Sequence, residues 1–116
     1  MPCLQQVVDL QNDPSFKDLD VQFLSIAVDP PDAWRDEAQS LGITAELLSD
    51  EGNKVASRYG VMRWKMPSNE PGHTFVLVEP DGTVGWIRDY GAPDHGGLMY
   101  VPPEDLVPQI SAALAG

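Results

Sequence analysis

Residues 73–90 read HTFVLVEPDGTVGWIRDY, and this stretch decides the fold. Two β-rich runs flank Glu79-Pro80-Asp81-Gly82, a turn-forming set, so a β-hairpin is expected over Thr74–Tyr90. Upstream, DVQFLSIAVDPP at 20–31 is apolar almost without interruption from Val21 to Val28. That pattern predicts a strand buried on both faces, as in α/β sheets with helices on each side. The hairpin and this strand are expected in one sheet. Helices predicted at Pro2–Asn12 and Trp34–Leu41 are expected to pack on it. Trp34, Ala38 and Leu41 share a helical face that ends at Gly42.

Between these elements the signals are shorter. AELLSDEGN at 45–53 predicts a strand around Ala45–Leu48 and then a turn, and NKVASRYG predicts a short helix stopped by Gly60. Residues Val61–His73 carry no clear element. NDPS at 12–15 breaks the first helix. Leu106, Val107, Ile110 and Leu114 sit at helical spacing near the end of the chain. Pro108 conflicts with a helix from Pro103, so a kink there or a start near Asp105 is expected. The order α-β-α-β-α-hairpin-α fits an α/β sheet with a terminal antiparallel hairpin and a covering helix.

Composition narrows the function classes. A length of 116 residues with 42% hydrophobic content predicts one domain, spanning 1–116, with a core. The net charge of −11 argues against nucleic acid and against an anionic membrane surface as partners. No run is long enough to span a membrane and no signal peptide is visible. The cytoplasm is the default location, and an extracytoplasmic one follows if an upstream signal or anchor has been lost. A single cysteine excludes an internal disulfide and a Cys-rich zinc site. His73, His95, Cys3 and Glu104 show no compact ligand spacing, so no metal is expected, and no cofactor.

Four stretches in order carry a family resemblance over nearly the whole chain. MPCLQQ resembles the helix that follows a Cys-x-x-Cys centre, and DVQFLSIAVD the next strand. LLSDEGNKVASRYGV and HTFVLVEPDGTV resemble two further segments of the same pattern. The family is the redoxin branch of the thioredoxin-like superfamily: AhpC/TSA peroxiredoxins and TlpA-type thiol–disulfide oxidoreductases. The resemblance implies a thioredoxin-like fold, here N-terminally truncated by one or two strands, with a C-terminal hairpin and flanking helices. It implies thiol–disulfide exchange or thiol-peroxidase chemistry on a protein thiol, disulfide or peroxide substrate. It also implies that the redox centre precedes this chain, which is then inactive alone. The alternative is a non-enzymatic interaction domain on the same fold.

In the family the strand before the first helix lies between the two strands placed here at Val21–Val28 and Thr74–Glu79. Its loss would open apolar edges and leave Leu4, Val7 and Val8 underpacked. A homodimer or a poorly folded monomer is expected over a well-behaved monomer.

Two residues are candidate catalytic groups. Cys3 in a first helical turn gains thiolate character from the helix dipole. Its other reading is a structural, part-buried thiol on the apolar face with Val7. The resemblance makes Pro71, Gly72, His73 and Thr74 the substrate-facing loop, where relatives carry a cis-proline or an arginine. Gly72 holds that slot, Pro71 is one residue early and His73 one late. His73 is either an acid or hydrogen-bond donor, or a plain loop histidine. His95 reads as a surface-loop residue, and Trp64 as the aromatic best suited to an exposed contact.

Overall fold

A computed structural model describes residues 2–27, 32, 34–65 and 72–115, and the backbone alone of Pro2 and Cys3. The side chain of Cys3, the Pro71 end of the candidate loop and Val28 at the end of the predicted strand therefore lie outside the described residues.

Helix α1 spans Pro2–Gln11. Proline at its first position lacks an N–H that has no helical partner there anyway. Leu4, Val7 and Leu10 are buried, and Gln6 is buried with them. Of the three residues expected to be underpacked, Leu4 and Val7 are thus covered and Val8 is half-buried. The NDPS break is also a start: Asp13 accepts a 2.9 Å hydrogen bond from Phe16 N–H and caps α2, Pro14–Lys17, with Pro14 in its first turn.

Strand β1 is Leu24–Ala27 and pairs in parallel with β2, Glu46–Ser49, Leu24 opposite Glu46 and Ile26 opposite Leu48. Between them α3, Arg35–Leu41, ends on Gly42 at φ 71°, a left-handed position that costs a side chain energy and glycine little. Asp50 leaves β2 buried, and its carboxylate accepts the Val55 and Ala56 N–H groups at 2.9 Å each. Those bonds, led by Val55, hold its pKa below the usual carboxylate value and cap α4, Lys54–Arg58. A 3-10 turn follows at Val61–Trp64, where no clear element was expected.

The hairpin forms as read: β3 Thr74–Val78 and β4 Val84–Asp89 are antiparallel, with a register shift at Leu77/Val78. The final helix α5 runs Pro103–Leu114 and contains Pro108. Pro108 and Glu104 are both exposed. The Glu104 carbonyl that loses its helical donor can therefore face water, which lowers the cost of the proline. Buried Leu10, Phe16, Tyr90, Val101, Leu106, Val107 and Ile110 form the core, with Phe23, Phe75 and Trp86 packed against it.

Two expectations are corrected. Among the described residues the strands form two separate two-stranded sheets, β1-β2 and β3-β4, not one. The strand that the family places between β1 and β3, whose loss was expected, has no counterpart among those residues, and neither edge acquires a second partner. The predicted two-face burial also fails. Exposure alternates from Val21 to Ala27, with Gln22, Leu24 and Ile26 on the open side. Leu24 and Ile26 are each 44% exposed and Leu48 43%. The apolar run was real, but among the described residues only one face of the ribbon has a layer packed on it.

Core energetics give a paired expectation. Leu106 is fully buried, so Leu106→Ala should cost about 2–5 kcal/mol. Among the described residues the buried Tyr90 hydroxyl meets no hydrogen-bond partner. An unsatisfied buried hydroxyl costs roughly 1–3 kcal/mol, so Tyr90→Phe should be neutral or stabilising. Urea unfolding measures both; a Tyr90→Phe loss as large as that of Leu106→Ala would contradict the packing described.

Candidate functional site

The candidate loop residues Gly72–Thr74 meet the first half of α1 at the open end of the hairpin, through His73. The contact is one buried amide. Gln6 Oε1 accepts from Val101 N–H at 2.7 Å, and Gln6 Nε2 donates to the Val101 carbonyl at 2.9 Å. The backbone of Val101 thereby fixes which way the amide points. His73 Nε2 lies 3.0 Å from the same Oε1. Facing an acceptor, Nε2 must carry the proton. Burial pushes the His73 pKa down, and the charge of Asp89 opposes this only in part. His73 is therefore a neutral, Nε2-protonated donor at neutral pH. Its ring meets Phe75 edge-on at 5.1 Å, and its carbonyl accepts from Tyr90 N–H at 2.8 Å.

Asp89 is the second node. Its side chain is fully buried. It accepts from Thr74 Oγ1 at 2.7 Å, Ala92 N–H at 2.9 Å and His95 Nδ1 at 2.9 Å. Burial pushes its pKa up, but these bonds, led by Thr74, outweigh burial and leave the carboxyl below its ordinary value. His95 is exposed in its loop, as expected, but tethered. Its Nδ1 is held by Asp89, its side chain is only 33% exposed, and its ring lies 5.6 Å from that of Trp64.

The glycine in the candidate loop has a steric cause. A Cβ on Gly72 would lie 2.9 Å from the Trp64 carbonyl oxygen, and one on Gly91 would lie 2.6 Å from His73 N. Neither proline nor arginine fits at position 72 unless the backbone around Trp64 moves.

Of the sequence candidates, His73 joins α1 directly and Thr74 joins Asp89. Cys3 stands in α1 one turn before Gln6, about 4.5 Å along the axis at 1.5 Å per residue. Sequence reasoning missed Gln6 and Asp89. The signal for Gln6 was a polar residue at helical spacing between Cys3 and Leu10, on the side that carries the apolar stripe. Among the described residues no three His, Cys, Asp or Glu side chains gather as a metal site.

Known structures share the fold. The AhpC of Enterococcus faecalis superposes with a TM-score of 0.75 at 20% identity, over 99% of this chain and 68% of its own. Mycobacterium bovis AhpC gives 0.70 at 18% over 100% and 66%, and Mycobacterium tuberculosis AhpC 0.72 at 17% over 99% and 63%. The fold is that of a thioredoxin-like redoxin, and the chain spans about two-thirds of the length of these AhpC chains. The profile of the AhpC/TSA family matches residues 1–87, and the chain belongs to that family. No curated protein sequence matches it significantly. Asp89, His95 and α5 lie beyond the matched segment.

The state of His73 gives a pH expectation. Its folded pKa lies below the ordinary 6.5, so the unfolded chain binds the proton more tightly. The contribution of His73 is fully present above that ordinary value and is lost as pH falls below it toward the folded value. Urea midpoints should drop between about pH 7.5 and about pH 5.5, and drop less in His73→Gln. An unchanged pH slope in the variant would contradict a buried neutral histidine.

Proposed function

We propose that this chain is the scaffold of a thiol-based redox protein, acting in disulfide exchange or peroxide reduction, with the reacting sulfur at the N-terminal turn of α1. One observation carries the reading: the Gln6–His73 contact brings the loop before β3 to α1, one turn beyond Cys3. Family membership supports the chemical class. The helix N-terminus stabilises a thiolate there. His73 gives its one N–H to Gln6 and, as a neutral ring, brings no competing charge to the loop. Substrate would lie over Gly72–Thr74.

The 116 residues contain one cysteine. A disulfide cycle needs a second thiol to resolve the mixed disulfide, so we expect this chain to turn over no disulfide alone. The same single cysteine favours a second reading, a binding domain that keeps the fold without the chemistry. The open apolar face at Leu24, Ile26 and Leu48 supports self-association in either case.

Insulin reduction with dithiothreitol should stay at background for the wild type and for Cys3→Ser. Turnover well above background that Cys3→Ser abolishes would overturn the inactivity and make Cys3 catalytic. Peroxide consumption by the same pair separates a single-cysteine peroxidase from the binding domain. Light scattering should give the mass of two chains, and a monodisperse single chain would remove the dimer.

A further inference from the structure

The chain separates its charges sharply. Residues 52–69 hold four of its seven cations, Lys54, Arg58, Arg63 and Lys65, and none of its eighteen carboxylates. The remaining residues are correspondingly acidic. The cationic segment also exposes apolar side chains: Val55 is 38% and Tyr59 40% exposed, one helical turn apart on and after α4. Lys54, Arg58 and Arg63 are exposed beside them. The guanidinium of Arg63 stacks over the Trp64 ring at 4.2 Å, and the same ring packs on His95. A shallow groove of ≈ 570 Å³ runs along α4, lined by Gly52, Lys54, Val55, Ser57 and Arg58. The surface thus continues from that groove to the rim of the candidate site.

We propose that this surface binds an acidic polypeptide segment of a partner protein, with carboxylates against Arg58 and Arg63 and an apolar side chain against Tyr59 and Val55. Three physical points select that occupant. Arginine and exposed aromatics are the residue types that anchor protein interfaces. Attraction reaches only about 8–10 Å at physiological salt, so it is confined to this patch. A long polyanion such as nucleic acid would extend past the patch onto a surface dominated by carboxylates. A short segment that alternates acidic and apolar residues stays within it. The proposal requires no thiol chemistry, and its test is independent of catalysis.

Fluorescence anisotropy of a labelled peptide of alternating Glu and Leu measures binding to the full chain at about 20 mM and about 500 mM salt. Saturable binding at low salt, weakened at high salt, is expected. Arg58→Glu with Arg63→Glu should weaken it about tenfold or more, the effect of ~1.4 kcal/mol. Arg58→Lys with Arg63→Lys should keep most of it. Both positions are exposed, and circular dichroism of each variant verifies folding. The peptide should also alter the intrinsic fluorescence of the wild type, and less so that of Trp64→Phe. Absent binding, or equal binding by the charge-reversed variant, would overturn the proposal. So would an oligothymidylate that binds as tightly as the peptide. Self-association abolished by the same charge reversal would show that a second copy takes the surface, and would overturn it too.

Discussion

Two glutamine side chains on one helix bridge a seam that, among the described residues, no strand closes. Gln6 binds the Val101 backbone in both directions and holds His73. Gln11 does the same on the other side: its Nε2 donates to the Gly42 carbonyl at 3.0 Å, and its Oε1 accepts from Thr44 and Ala45 N–H at 2.9 and 3.0 Å. The two residues are five apart, about 140° around a helix of 3.6 residues per turn. Gln6 therefore faces the hairpin and α5, and Gln11 the parallel pair. Among the described residues β1-β2 and β3-β4 share no ladder, so α1 carries the polar link between them. Tyr100 adds to the hairpin side by donating its hydroxyl to Asp9, a bond that pushes its pKa up to about 12.

The chemistry of the candidate site follows from that link. A helix fixed by Gln6 is held against His73 one turn beyond Cys3. The same amide determines which His73 nitrogen bears the proton. Behind it, Asp89 is satisfied by Thr74, Ala92 and His95 at once. A buried carboxylate with three donors is stable as an anion, and it immobilises the loop that carries His95 against Trp64. The glycines at 72 and 91 let these chains approach closely enough for one carboxylate and one amide to serve all of them.

Much of the fold was legible in the sequence because it depends on local rules. The turn at Glu79–Gly82, the helix stop at Gly42 and the stripe Leu106–Val107–Ile110 each carry their own signal, and each stands where it was read. The Asp13–Pro14 start was equally local and was overlooked because NDPS was read only as a break. The burial of Val21–Val28 was misjudged for a different reason. An apolar run reports what a strand can bury, not whether a layer exists to cover it. The separate sheets have the same origin, since pairing depends on a partner strand. The glutamine links were not legible at all. Gln5 and Gln6 look alike in sequence, but Gln5 bonds Asp9 on the exposed side while Gln6 reaches Val101, 95 residues away. Asp89 and His95 are six residues apart, yet the carboxylate beside His95 in sequence is Asp94, at 4.0 Å from its Nε2, and not its hydrogen-bond partner.

The bridging role of α1 is tested most directly by amide hydrogen exchange at Thr44, Ala45 and Val101, whose N–H groups donate to glutamine side chains. Thr44 is exposed, so burial cannot protect its amide and the bond to Gln11 must do so. A bond of ~1 kcal/mol slows exchange roughly fivefold. All three amides should exchange more slowly than unprotected ones. Gln11→Met should release Thr44 and Ala45 alone, and Gln6→Met Val101 alone. Free exchange at Thr44 and Ala45 in the wild type, or no site-specific release in either variant, would contradict the account.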